Sequence, residues 1–110
     1  MKIHDSQQND ILILELEGRL DTTTSDILEK RIVEGFELNV NKYLIDFKQL
    51  EYISSSGLRV LLMTAKKVLG LGGGLVLSNL SSHIKEVFDI AGFTPIFMLA
   101  DNKDDGIKLL

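Results

Sequence analysis

The sequence predicts one α/β domain, in which about four helices pack on a mixed sheet of four or five strands. Short apolar runs typical of strands alternate with segments whose apolar residues recur at helical spacing. The 110 residues, 45% apolar and 25% charged, fit a single core. We therefore expect one domain over residues 1–110.

The predicted strands are short and apolar. Ile11–Leu16 is the clearest, and Met1–Ser6 is a weaker partner joined to it by a polar turn. Tyr43–Phe47 is aromatic and β-branched enough to be a central strand. Two more strands are predicted, at Leu75–Leu77 and at Ile96–Leu99.

Four helices are predicted between and after these strands. N-cap candidates at Thr22–Asp26 precede an apolar pattern that continues to Phe36. Ser54–Ser56 offers N-caps for a second helix, whose apolar face includes Leu69 and which the glycines of Gly70–Gly74 end. The other two helices are predicted over residues 81–91 and 101–110. The predicted order is β-β-α-β-α-β-α-β-α.

Composition and charge exclude several classes of function. The net charge is −4 and the basic residues are scattered, which disfavours direct binding to nucleic acid. The absence of cysteine excludes disulfides, thiolate zinc sites and cysteine catalysis. No apolar run resembles a signal peptide or is long enough to span a bilayer, so a cytoplasmic protein without membrane insertion is expected. No metal-ligand spacing is present, and no cofactor is expected.

Three consecutive serines separate a predicted buried strand from a helix. Ser54, Ser55 and Ser56 lie where free backbone N–H groups and the positive end of the helix dipole can hold an anionic group. The simplest interpretation is that they cap the helix and that Gly57 permits close packing. Modification of one serine is compatible with capping by another.

Two catalytic interpretations are disfavoured. A serine hydrolase would need Ser55 as nucleophile with His4 or His83 as base, and no Gly-x-Ser-x-Gly elbow is present. The glycine run Gly70–Gly74 leads from helix to strand and lacks the Gly-Lys-Ser/Thr end of a phosphate loop. It is best interpreted as a helix stop.

Two motifs carry a resemblance to a known family. The stretch Ile53–Leu58 resembles the signature of STAS domains, in which an aspartate and two small residues precede glycine and leucine. Gly18-Arg19-Leu20-Asp21 resembles the family's Gly-x-Leu/Ile-Asp at the end of the second strand, and Phe88–Phe93 resembles its late helix and turn. The resemblance covers essentially the whole chain and implies the STAS fold, in which the helices lie mainly on one face of the mixed sheet.

Within that family, the chain resembles the anti-sigma factor antagonists, also called anti-anti-sigma factors. The resemblance implies that Ser55 is a phosphoacceptor and that Asp21 is the acidic residue beside it, while Ser54 occupies the usual position of aspartate. The remaining residues expected to bind the partner or support the site are Thr22, Ser54, Ser56, Gly57, Leu58 and Arg59.

The implied function is a protein switch that is not an enzyme. The unphosphorylated chain would bind an anti-sigma factor, a GHKL-type serine kinase, and so regulate sigma-factor-dependent transcription. Phosphorylation would release it, and a PP2C-type phosphatase would restore the binding form. ATP and magnesium would belong to the kinase. An alternative is a STAS interaction module of a stress-signalling or lipid-transport complex.

Overall fold

Five strands and four α-helices alternate in the predicted order in a computed structural model that describes residues 1–110. The strands are β1 (Lys2–Gln8), β2 (Ile11–Leu20), β3 (Lys42–Ile53), β4 (Gly74–Ser78) and β5 (Met98–Ala100). The helices are α1 (Ser25–Glu37), α2 (Ser55–Gly70), α3 (Ser82–Ile90) and α4 (Lys103–Lys108). The predicted α/β class with a mixed sheet is confirmed.

The strands lie side by side in the order of the chain. β1 pairs antiparallel with β2 through a two-residue turn in which Asn9 has a φ of 57°. The pairs β2–β3, β3–β4 and β4–β5 are all parallel. Because parallel neighbours end at the same edge of a sheet, the carboxyl ends of β2 and β3 lie together.

The two faces of the sheet are covered unequally. α1, α2 and α3 contribute buried residues such as Ile32, Leu61 and Phe88 to a large core on one face. Only α4 covers the other face, where Ile107 and Leu110 pack against a small apolar cluster. The prediction that helices lie mainly on one face is confirmed.

β2 and β3 extend well beyond their predicted ends at Leu16 and Phe47. Their pairing continues to Leu20 and Ile53 through two register shifts. Gly18 has a φ of +105°, a conformation that favours glycine, close to one of these irregularities. Charged and polar residues interrupt the apolar pattern in both extensions, which is why the sequence predicts shorter strands.

Two local predictions are wrong. The sequence predicts the last strand at Ile96–Leu99, but residues Thr94–Ile96 form a 3₁₀ turn and β5 begins at Met98. Pro95 lacks an N–H and has a restricted φ, which suits a turn better than a strand. The apolar pattern places Leu69 on the buried face of α2, yet it is 79% exposed. No helix has both the length and the apolar character needed to cross a membrane.

Candidate functional site

The two sequence motifs meet at the carboxyl ends of β2 and β3. Leu20 is in register with Ile53. The Ser54 N–H then donates to the Leu20 carbonyl at 2.9 Å, which extends the pairing by one bond. The loop that begins at Asp21 therefore lies beside the first turn of α2.

Gly57 allows α2 to approach this end of the sheet. A Cβ at position 57 would come within 2.7 Å of Leu20 Cγ and 3.0 Å of Ile53 Cγ1. A separation of 2.7 Å is too short for two carbon atoms that are not bonded to each other. A side chain at position 57 would therefore displace the helix or its neighbours. The interpretation that Gly57 permits close packing is confirmed.

Ser54 is the N-cap of α2. Its backbone is extended, with φ −100° and ψ 174°, and its side chain accepts a hydrogen bond from the Gly57 N–H at 3.4 Å. This contact satisfies one of the free donors at the start of the helix. The capping interpretation is confirmed, with Ser54 as the capping serine.

Ser56 is half-buried, and its hydroxyl contacts Ser25 on α1. Its Oγ lies 2.8 Å from Ser54 Oγ and 2.9 Å from Ser25 Oγ. Ser25 is 4% exposed, and its hydroxyl donates to the Asp21 carbonyl oxygen at 2.5 Å. Two of the three serines are therefore tied into a chain of hydrogen bonds.

Ser55 differs from its two neighbours. Its side chain is exposed and forms no hydrogen bond with another residue. It is also the first residue of a 16-residue helix. The positive end of the α2 dipole can stabilise a negative charge there, by about 0.3–1 kcal/mol at an exposed site.

Asp21 organises its own loop. One carboxylate oxygen accepts from the Thr23 N–H at 3.0 Å and from the Thr23 hydroxyl at 2.7 Å, and the Thr24 hydroxyl lies 3.3 Å away. Arg19 Nε lies 3.7 Å from the other oxygen. The Thr23 hydroxyl, helped by these other groups, holds the pKa of Asp21 below its ordinary value. The Asp21 carboxylate forms its hydrogen bonds within its own loop and none with Ser55.

The remaining predicted site residues divide by exposure. Thr22 is exposed in the loop that follows β2, and Arg59 is exposed on α2, one turn after Ser55. Gly57 and Leu58 are buried, so a partner could not contact their side of α2 directly. A groove of about 290 Å³ lies between α1 and α2, with Asp26 and Arg59 among its lining residues.

Neither histidine is placed to activate a serine. His4 lies on β1, with its Nε2 at 3.1 Å from Glu17. His83 lies in the first turn of α3. Neither side chain hydrogen-bonds to Ser55, so the geometry that a serine nucleophile needs is not found.

Sequence reasoning missed two contributors to this surface. In the sequence Ser25 is only one of several capping candidates, and nothing local indicates that it contacts Ser56. Nothing in the sequence indicates that Tyr52 belongs to this surface. In the structure, the Arg19 guanidinium lies 4.3 Å from the centroid of the Tyr52 ring. This cation–π contact joins the ends of β2 and β3 beside the site.

Comparison with known proteins identifies the family. Residues 2–106 match the STAS domain family. This chain is a STAS domain protein. The match spans both motifs and every helix and strand up to the last turn of α4, which agrees with the resemblance found in the sequence.

Two relatives match along most of their length. BtrV of Bordetella bronchiseptica, named as an anti-sigma factor antagonist, is 35% identical over 104 residues, which cover 94% of this chain and 90% of BtrV. The anti-sigma-B factor antagonist of Bacillus subtilis is 31% identical over 101 residues, which cover 92% and 91% of the two chains.

Solved structures share the STAS fold. TM1081 of Thermotoga maritima superposes with a TM-score of 0.92 at 18% identity, covering 97% of this chain and 92% of TM1081. The Bacillus cell fate determinant SpoIIAA in its phosphorylated form superposes with a TM-score of 0.77 at 21% identity, covering 99% and 100%. At these identities the structures establish the fold.

Proposed function

We propose that this chain is an anti-sigma factor antagonist, controlled by phosphorylation of Ser55. The unphosphorylated form binds an anti-sigma factor that is also a GHKL-type serine kinase, and so frees a sigma factor for transcription. Phosphorylation releases the chain, and a PP2C-type phosphatase restores the binding form. The chain itself acts as a regulator and catalyses no step. Support comes from the 31% identity with the anti-sigma-B factor antagonist of Bacillus subtilis.

The observation that carries the proposal is the free hydroxyl of Ser55 at the first position of α2. A kinase must reach the acceptor oxygen from solvent, and Ser55 is the exposed serine of the three. A phosphate attached there meets the free N–H groups and positive dipole end of the helix. A phosphate is compatible with a folded STAS domain, because SpoIIAA, which shares this fold, has been solved in a phosphorylated form.

Charge accounts for the release step. A phosphoserine adds about −1.5 to −2 charges at neutral pH. Asp21 and Glu51 already carry negative charge in this region of the chain. A phosphate buried against a partner that offers it no matching cation destabilises the complex by several kcal/mol. The same phosphate on the free chain remains hydrated, so the domain stays folded.

The test is isolation of the chain from its own cells with whatever binds it. We expect an anti-sigma factor kinase to be recovered with Ser55→Ala, which binds but cannot be modified. The purified kinase and ATP should then phosphorylate the wild-type chain, and mass spectrometry should locate the phosphate on Ser55. Absence of any phosphate, or recovery only of transport or stress-complex proteins, would overturn the proposal.

A further inference from the structure

The hydrogen bonds among the serines have a defined direction. A carbonyl oxygen only accepts, so Ser25 uses its single hydroxyl proton on the Asp21 carbonyl, 2.5 Å away. The 2.9 Å contact between Ser25 and Ser56 must then use the Ser56 proton. The 2.8 Å contact between Ser56 and Ser54 must in turn use the Ser54 proton.

Both Ser56 and Ser54 also use an oxygen lone pair. Ser56 accepts from Ser54, and Ser54 accepts from the Gly57 N–H at 3.4 Å. Ser56 is half-buried and lines the groove between α1 and α2 together with Ser25, and its hydroxyl faces Ser25 across that groove. Ser55 alone keeps its proton and both lone pairs free for an incoming group.

We propose that Ser25 is a specificity-determining residue, which confines phosphorylation to Ser55 by holding the hydroxyl of Ser56 and, through it, that of Ser54. The inference rests on the function proposed above. Ser25 acts through Ser56 and does not itself contact the reacting atoms.

The chemistry explains why a held hydroxyl is a poor acceptor. In the transfer, serine Oγ forms a bond to the γ-phosphorus of ATP, and the bond from that phosphorus to the oxygen leaving with ADP breaks. The hydroxyl proton passes to a base on the kinase. Ser56 can follow this course only if its proton leaves Ser25 and its oxygen turns away from α1.

The decisive experiment compares variants in a background that lacks the main acceptor. Ser55→Ala is incubated with ATP and the kinase recovered in the isolation experiment, and phosphate is located by mass spectrometry. We expect essentially none. The double variant Ser25→Ala/Ser55→Ala should carry at least tenfold more phosphate than Ser55→Ala, located on Ser56.

Folding of the double variant is expected and is checked by circular dichroism. Without the Ser25 hydroxyl, the Asp21 carbonyl still accepts from the N–H groups of Thr24 and Ser25, at 3.1 and 2.9 Å. Ser25→Cys is a second variant of similar size, whose thiol is a weak partner and should also release Ser56.

Thr64→Val in the same background is the matched control. The Thr64 hydroxyl is fully buried in α2 and donates to the Val60 carbonyl at 2.8 Å, away from the serines. Its removal should leave Ser55→Ala unphosphorylated. Neutron diffraction of the wild-type chain gives a direct measurement, in which the deuterium bonded to Ser56 Oγ should point to Ser25 Oγ.

The outcomes separate the two proposals. Phosphate on Ser55 of the wild type, with none on Ser56 of either Ser25 variant, would overturn the role of Ser25 and leave the proposed function standing. Deuterium that points from Ser56 to any other atom would also overturn the role of Ser25 and leave the proposed function standing. A wild-type chain that takes no phosphate would overturn the proposed function and this inference with it.

Discussion

Gly57 and Leu20 are in direct contact, which joins the two sequence motifs across the site. The first turn of α2 lies so close to the end of β2 that a Cβ at position 57 would come 2.7 Å from Leu20 Cγ. Leu20 is fully buried and cannot turn aside without disturbing the core. The position of the α2 N-terminus, and with it Ser55, therefore depends on the absence of a side chain at Gly57.

Replacement of Gly57 should destabilise the fold. We expect Gly57→Ala to lower the free energy of unfolding by about 1–3 kcal/mol, since overpacking of a dense region costs that much. Urea denaturation measures the change. Gly70→Ala, at the other end of α2, is the matched control because a methyl group there would meet nothing in the rest of the fold within 4 Å. It should be neutral or stabilising by up to about 1 kcal/mol. Equal effects at the two positions would contradict this account.

Charge at Ser55 should weaken partner binding without unfolding the domain. Ser55→Asp is expected to keep the circular dichroism spectrum of the wild type and to bind the anti-sigma factor at least tenfold more weakly, a change of about 1.4 kcal/mol. Ser55→Ala should bind like the wild type and resist modification. Titration calorimetry with both variants measures the affinities, and wild-type affinity of Ser55→Asp would count against the switch.

Asp21 should contribute to partner binding more than to stability. Its carboxylate is bound by Thr23 and Thr24 within an exposed loop, so Asp21→Ala should remain folded while the loop beside Ser55 loses its order. We expect a loss of partner affinity of tenfold or more. Asp10→Ala is the control, because Asp10 lies in the turn at the opposite end of β2 and pairs only with Lys42, at 3.2 Å. Equal binding by both variants would remove Asp21 from the site.

Tyr43 should make the fold sensitive to alkali. Burial raises the pKa of Tyr43 to about 12, and its hydroxyl donates to the Ile32 carbonyl at 3.0 Å. Because the folded pKa is the higher one, its contribution to stability is fully present below the unfolded pKa of about 10 and is lost as the pH rises through 12. Between about pH 9 and 11 the wild type should lose about 1 kcal/mol more stability than Tyr43→Phe. Parallel loss in both chains, measured by denaturation, would rule out this residue as the cause.

The sequence by itself determined the order of the elements, the two motifs and the serine caps of α2 and α3. Each of these depends on local chemistry. Apolar residues recur at the spacing of a strand or a helix, serine caps the residues that follow it, and glycine ends α2. For the same reason Ser54 is recognisable from the sequence as a capping candidate, and the contact it makes spans only three residues of chain.

Only the tertiary structure decided how the three serines differ. Ser56 is held by Ser25, 31 residues earlier in the chain, and this contact exists because α1 and α2 pack side by side against one face of the sheet. Packing likewise left Leu69 exposed although it continues the apolar pattern of α2. The local sequence pattern indicates which residues favour burial or capping. Which hydroxyl stays free depends on distances between elements, and those are set when the helices dock on the sheet.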